Sequence, residues 1–215
     1  MTCPIRAGRT STGDQKIFFR AWDRTNAVTA GTKADSSVRG GTTAYSVAAD
    51  SAILTVNTQN DAPVLNSAGT PTLPTISNTN SNPAGISILD LIASGGPNYI
   101  TDLETSNPQG IAIYGAPSSG GTWQYSLDNG ANWINVGTVN ADIGLGGSLL
   151  LKAVATTKIR FKPLSTFTGT RSISFAAWDQ TTGTEGTKVD TQDVNRGGST
   201  AFSVARDTAA VIVTA

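Results

Sequence analysis

The feature that most constrains this chain is an internal repeat of very long period. Residues 13–23, GDQKIFFRAWD, return as residues 169–179, GTRSISFAAWD, so that Trp22 and Trp178 lie 156 positions apart. The match continues through Gly-Thr-Lys, Arg-Gly-Gly and Ser-Val-Ala in the same order. Agreement of this length indicates two copies of one structural unit. Residues 1–58 then correspond to the C-terminal part of a first repeat, and residues 64–215 to a nearly complete second repeat.

The segment between the copies has the character of a linker. Residues 59–63 read QNDAP, which are mostly polar, and Pro63 disfavours helix at the residue before it. We place the domain boundary there.

The pattern of apolar residues is that of β-strands. Apolar side chains alternate in residues 173–177, 52–56 and 209–213, and clusters of Gly, Asn, Pro and Ser separate such runs at short intervals. Only residues 87–93 are candidates for a helical turn. The chain is therefore predicted to be all-β, an antiparallel β-sandwich, with a partial repeat in front of a nearly complete one.

Composition excludes several classes of function. Fifteen Lys and Arg balance fifteen Asp and Glu, so no basic surface for nucleic acid or anionic lipid is expected. The chain has no His, which excludes Ser-His-Asp and Cys-His catalysis within it. Cys3 has no partner for an internal disulfide. No signal peptide and no apolar run long enough to span a bilayer is visible, so export would use a signal outside this sequence.

The acidic residues are chosen unevenly. Thirteen are Asp and only Glu104 and Glu185 are Glu. Asp favours turns and oxygen-ligand loops over helices.

Three short motifs contain acidic residues beside strands or in the linker. Asn60-Asp61 stands before Ala62-Pro63, Asp102 and Glu104 stand two residues apart ahead of an alternating strand, and Asp179 closes a strand that ends in Ala-Trp-Asp. These motifs resemble those of cadherin-like repeats, and in that superfamily they meet at one end of the domain. The resemblance therefore implies a Ca²⁺ site at the junction of the two repeats, with Asn60, Asp61, Asp102, Glu104 and Asp179 as ligands. The alternative is that Asp102, Glu104 and Asp179 are ordinary solvated turn residues.

One departure from that family weakens the expected site. The segment 75–79 carries Asn78 where related repeats commonly have an acidic residue. Asp23 would belong to the corresponding end of the first repeat, whose partner loop is absent, and we expect it to bind nothing.

Taken as a set, residues 121–133 and 159–163 resemble the long Ig-like or cadherin-like repeats of large bacterial surface adhesins and RTX-type secreted proteins. The resemblance implies an extracellular, cell-surface location, neighbouring repeats of the same protein as partners, and a structural or adhesive role without enzymatic activity. The only candidate acid/base pair, Asp102 with Glu104, has no defined separation for glycoside chemistry.

Two further patterns bear on ligand binding. Trp123, Tyr125 and Trp133 offer an alternative function, a carbohydrate-binding module that would recognise surface glycans. Ser126, Asp128, Gly130 and Trp133 fit the Asp-box pattern of a structural hairpin, in which Asp128 accepts backbone N–H bonds and Trp133 packs beside it.

The repeat also contains a long Gly-rich segment, residues 180–198 and 24–41, that is the best candidate for contact with other molecules. Trp22 and Trp178 are expected to pack beneath it, and Arg39 and Arg196 to tether it. Because residues 1–58 lack the first strands of a sandwich, they should expose an apolar sheet face and an open edge, and associate with another chain or be poorly ordered.

Overall fold

The structure is a computed structural model that describes residues 13–56, 59–104 and 108–215. Its contacts divide the chain into two compact units, Met1–Gln59 and Asn60–Ala215. The division falls inside the predicted linker 59–63, so that residues 60–63 belong to the second unit.

In the first unit, the described residues form a single antiparallel pair of strands. Strand β1 (Gly13–Phe19) pairs with β2 (Asp50–Val56) along its whole length, with Gly13 opposite Val56 and Phe19 opposite Asp50. An isolated bridge joins Trp22 to Tyr45. The apolar side chains of this sheet are exposed, as expected for a sheet without a covering layer: Phe18 is 74% exposed and Phe19 51%.

The second unit contains the remaining strands and one short helix. In chain order these are β3 (Val64–Leu65), β4 (Ile76–Ser77), β5 (Ile86–Ser87), α1 (Ile88–Ser94), β6 (Ile100–Thr101), β7 (Gly110–Gly115), β8 (Gly121–Ser126), β9 (Ile134–Asn135), β10 (Ser148–Lys152), β11 (Lys158–Pro163), β12 (Gly169–Trp178), β13 (Lys188–Val189) and β14 (Phe202–Thr214).

These strands build two main sheets. A six-stranded sheet has the order β13-β10-β7-β12-β14-β4, and a four-stranded sheet has the order β5-β11-β8-β9. All pairs in them are antiparallel except β4 with β14, and β3 and β6 form a small separate pair. The fold is therefore an all-β antiparallel sandwich, as predicted.

The main core lies between the two sheets. The six-stranded sheet contributes Phe175 and Val211, the four-stranded sheet contributes Trp123 and Phe161, and all four are almost completely buried. Burying one such side chain contributes about 1.5–3 kcal/mol, so this layer supplies most of the driving force for folding. The predicted inward faces of residues 173–177 and 209–213 are both confirmed.

Helix α1 confirms the one helical turn expected from the sequence, and its start has a local cause. Ser87 is the N-cap: its hydroxyl accepts from the Asp90 N–H at 3.0 Å and donates to Asp90 Oδ2 at 2.6 Å. Ile88, Leu91 and Ile92 bury one face of the helix in the main core.

A second, smaller apolar cluster covers the other face of the six-stranded sheet. It joins Trp178 to Ala112, Leu150, Ala201 and Phe202. The Trp178 Nε1–H donates to the Thr182 carbonyl at 2.7 Å. As predicted, this tryptophan packs beneath the segment 180–198.

The two copies of the repeat share their local structure as well as their sequence. The Asp23 N–H donates to the Ala44 carbonyl at 3.1 Å, and the Asp179 N–H donates to the Ala201 carbonyl at the same distance. Arg24 and Gln180, at equivalent positions, both have positive φ, 64° and 66°.

The tight turn that closes the long segment also recurs. Gly40 and Gly197 donate their N–H groups to the carbonyls of Tyr45 and Phe202, at 2.9 and 2.8 Å. Both glycines have positive φ, and a Cβ on either would meet the Val47 or Val204 side chain within 2.5 Å, so the turn requires glycine twice.

Candidate functional site

The segment that opens the second unit is attached to one end of its sandwich. The Asn60 side-chain amide donates to Asp179 Oδ2 at 2.8 Å and to the Thr200 carbonyl at 3.1 Å. Two residues on, the Ala62 N–H donates to the Gly198 carbonyl at 2.8 Å. The segment therefore lies against the end of β12 and the turn that precedes β14.

Asp179 is the most buried acidic residue of this end, at 1% exposure. Its Oδ1 accepts from the Thr181 N–H at 2.8 Å and from the Thr181 hydroxyl at 2.6 Å, while Oδ2 accepts from Asn60. A buried carboxylate is tolerated because each oxygen has donors.

The acidic turn after β6 lies beside the same segment. The Asp61 N–H donates to Glu104 Oε2 at 3.3 Å, and the Glu104 N–H donates to Asp102 Oδ1 at 3.1 Å. The structure thus links Asp61, Glu104 and Asp102 in one chain of hydrogen bonds.

Asp102 has a side-chain oxygen without a hydrogen bond within the part of the chain that the structure describes. Its Oδ2 is buried and has no hydrogen-bond partner among the described residues. Burial raises the pKa of its carboxyl above the usual value, and the neighbouring carboxylates of Glu104 and Asp179 raise it further. This end of the sandwich therefore carries mutual repulsion between carboxylates.

The structure links the predicted calcium ligands in pairs: Asn60 with Asp179, Asp61 with Glu104 through the Asp61 N–H, and Glu104 with Asp102 through the Glu104 N–H. Asp179 is buried, Asp102 and Glu104 are half-buried, and Asp61 is exposed. However, the part of the chain that the structure describes contains no group of three or more His, Cys, Asp or Glu side chains that could hold a metal ion. The ligand set stays a prediction.

The donor chemistry is nevertheless suited to a hard cation. Asp61, Asp102, Glu104 and Asp179 offer carboxylate oxygens, which Ca²⁺ prefers, and Asp102 Oδ2 is a buried acceptor in need of a partner. Asp179 is the less available ligand because donors already occupy both of its oxygens.

Sequence reasoning missed the role of Thr181. Its N–H and hydroxyl fix the Asp179 side chain, and Thr25 does the same for Asp23 at 2.8 and 2.7 Å. The signal was present in the sequence as Asp-x-Thr in both copies. In the first unit these bonds lower the pKa of Asp23, whose side chain is exposed.

The aromatic residues of the glycan hypothesis do not form an exposed platform. Trp123 is 2% exposed and Tyr125 7%, and both belong to the main core. Trp133 is half-buried, and the Arg160 guanidinium lies 3.9 Å from the centre of its ring. The alternation of Trp123 and Tyr125 reflects core packing, so this hypothesis loses its structural basis.

The hairpin between β8 and β9 has the structural role expected from its motif. Asp128 accepts from the Asn132 N–H at 2.8 Å and from the Ser126 hydroxyl at 2.7 Å, bonds that hold its pKa at about 2. A Cβ on Gly130 would lie 3.3 Å from the Trp133 ring, so Trp133 packs against this turn.

In the second unit, Arg196 tethers the long segment, since its guanidinium donates to the Val204 carbonyl and contacts Asp193. In the first unit, the Arg39 Nε–H donates to the Ser36 carbonyl at 3.0 Å, within the segment itself.

Fold and site together define a β-sandwich module that carries a second, partial copy of its own last strands. Comparison with known protein families, with curated proteins and with solved structures finds no match to this chain. Among the described residues, no helix has the length and apolar character needed to cross a membrane.

Proposed function

We propose that this chain is a structural or adhesive repeat module of a large extracellular bacterial surface protein, of the cadherin-like or Ig-like kind, in which calcium stiffens the connection between repeats. The observation that carries the proposal is the recurrence of the same hydrogen bonds at equivalent positions of both copies. The bonds around Asp23 and Asp179 agree within about 0.1 Å. A unit that is reproduced at this level within one chain is typical of tandem-repeat proteins.

The carboxylates at the start of the second unit support the calcium part of the proposal. Asp102, Glu104, Asp179 and Asp61 would hold the ion, with Asn60 beside them. Bound calcium would neutralise their mutual repulsion and supply the partner that Asp102 Oδ2 lacks. Asn60, Asp61 and Ala62 already contact this end of the sandwich, so an ion there would fix the segment that leads into the unit.

The proposal includes an extracellular location. Because the chain has a single Cys, it has no internal disulfide, and a bound metal is the available cross-link. The expected partners are neighbouring repeats of the same protein. The glycan-binding alternative is not pursued because Trp123 and Tyr125 are buried.

The test is thermal unfolding and sedimentation of the full chain in millimolar CaCl₂ and in EDTA. Calcium at 100 times its Kd should stabilise the folded state by about 2.7 kcal/mol, and stiffening of the connection should change the hydrodynamic radius. The matched variants are Asp102→Asn, which should abolish the response, and Asp190→Asn, an acidic residue outside the cluster, which should retain it. If calcium changes neither the midpoint nor the radius of the full chain, the stiffening role is wrong.

A further inference from the structure

The first unit contains a cavity of about 510 Å³ beneath its long segment. Its lining includes Trp22, Tyr45, Val28, Gly31 and Thr32. The sequence repeat makes Trp22 and Tyr45 the equivalents of Trp178 and Phe202, which in the second unit are buried. The cavity therefore occupies a place that is filled in the second unit.

In the second unit, the place that corresponds to the cavity is filled by residues of two strands that precede β12. Ala112 of β7 and Leu150 of β10 pack against Trp178 and Phe202. Leu150 is held by backbone bonds as well: its carbonyl accepts from the Gly186 N–H at 2.9 Å, and its N–H donates to the Thr187 carbonyl at 3.0 Å. A β10-type strand is thus an integral part of this side of the fold.

The first unit retains the residues that would pair with a β10-type strand. Gly31 and Thr32 are the equivalents of Gly186 and Thr187, and they line the cavity. The turn that presents them is already formed, since the Thr32 N–H donates to the Thr29 carbonyl at 3.2 Å and the Thr187 N–H to the Thr184 carbonyl at 3.1 Å. Residues 33–34, the equivalents of β13, are not in a strand, because β13 exists only through its pairing with β10.

We propose that the first unit is a docking site for a half-repeat equivalent to residues 60–168, joined ahead of β1, whose β10-type strand enters the cavity beside Trp22. The occupant pairs its backbone with Gly31 N–H and the Thr32 carbonyl, and its β7-type strand lies along β1 as β7 lies along β12. The apolar face of β1 and β2 is covered in the same step. This inference rests on the proposed tandem-repeat function and adds the identity of the partner segment.

The test uses an extended chain in which a copy of residues 60–168 replaces residues 1–12 and is joined to Gly13, the equivalent of Gly169. Amide hydrogen exchange in residues 17–22 and 31–32 should slow at least tenfold relative to the unextended chain. The control is the same extended chain whose copy carries Leu150→Asp, which should lose the protection.

Two results would overturn the proposal: unchanged exchange in the extended chain, or equal protection with the Leu150→Asp copy. Protection of the unextended chain that rises with protein concentration would assign the cavity to a second copy instead, and would equally refute it. None of these outcomes alters the response of the full chain to calcium, so failure here is distinguishable from failure of the stiffening role.

Discussion

The Asn60 side-chain amide donates to Asp179 Oδ2 at 2.8 Å, which joins residues 119 positions apart at one end of the sandwich. Asn60 opens the second unit. Asp179 directly follows the long strand β12, whose sequence matches that of β1 in the first unit. This bond attaches the incoming chain to the sandwich even without a metal ion.

The first prediction concerns Asp179. Asp179→Ala removes the acceptor for Asn60 and for both Thr181 donors in a buried place, so the free energy of unfolding of the second unit should fall by about 2 kcal/mol. Urea unfolding followed by tryptophan fluorescence measures it. The matched control is Asp23→Ala at the equivalent, exposed position of the first unit, which should leave that transition unchanged. Equal effects of the two variants would contradict the assignment.

The second prediction concerns pH. Because the pKa of Asp102 is raised in the folded chain, the folded state binds the proton more readily than the unfolded state. The stability of the second unit should therefore decrease as the pH rises from about 4 through the raised pKa of Asp102. Asp102→Asn should remove this decrease, as measured by melting temperature in calcium-free buffers from pH 4 to pH 8.

Asp128 provides a control of opposite sign for the pH prediction. Its pKa is lowered to about 2, so its contribution is present above about pH 4 and is lost as the pH falls toward 2. Asp128→Asn should change only this acid limb. If the melting temperature of Asp102→Asn depends on pH between 4 and 8 in the same way as that of the original chain, the role given to Asp102 is refuted.

The third prediction concerns Arg160, a buried cation on β11. Its Nε–H donates to Gln124 Oε1 at 2.9 Å, and its Nη1 donates to Asn82 Oδ1 and the Pro83 carbonyl at 2.7 and 2.9 Å. Burial lowers the pKa of the guanidinium. Arg160→Lys cannot make this planar set of bonds and should lower the free energy of unfolding by about 2 kcal/mol.

Arg171→Lys is the control for Arg160→Lys, since Arg171 also lies over an aromatic ring, that of Phe167 at 4.2 Å, but is less buried. Its effect on the urea midpoint should be the smaller one. The reverse order would show that the bonds of Arg160 contribute little.

The fourth prediction compares Phe175 with Phe19, which occupy the same position of the repeat. Phe175→Ala opens a cavity in the main core and should cost about 3–5 kcal/mol. Phe19→Ala should leave the unfolding transition of the second unit unchanged, because Phe19 is 51% exposed. It should reduce the binding of an apolar dye to the full chain. Loss of cooperative unfolding in Phe19→Ala would contradict the exposure of this face.

Much of the fold followed from local patterns. The period of two in residues 173–177 and 209–213 placed their apolar side chains in the core, and residues 87–93 were the only candidates for a helical turn. The same reasoning from sequence left Trp123 and Tyr125 open as ligand-binding residues, since alternation places a side chain on a face without saying what covers that face. Only the packing of the four-stranded sheet against the other showed that they are buried.

For this protein, sequence by itself determined the repeat and the all-β class. These conclusions depend on periodicity and residue type, which can be read from short stretches of the sequence or by comparing the sequence with itself. Tertiary structure alone decided how Asn60 reaches Asp179, why Asp102 Oδ2 is left without a partner, and that the place of Leu150 is a cavity in the first unit. The physical reason is that burial and hydrogen bonding between residues more than a hundred positions apart depend on which layers pack together, and no short window of sequence contains that information.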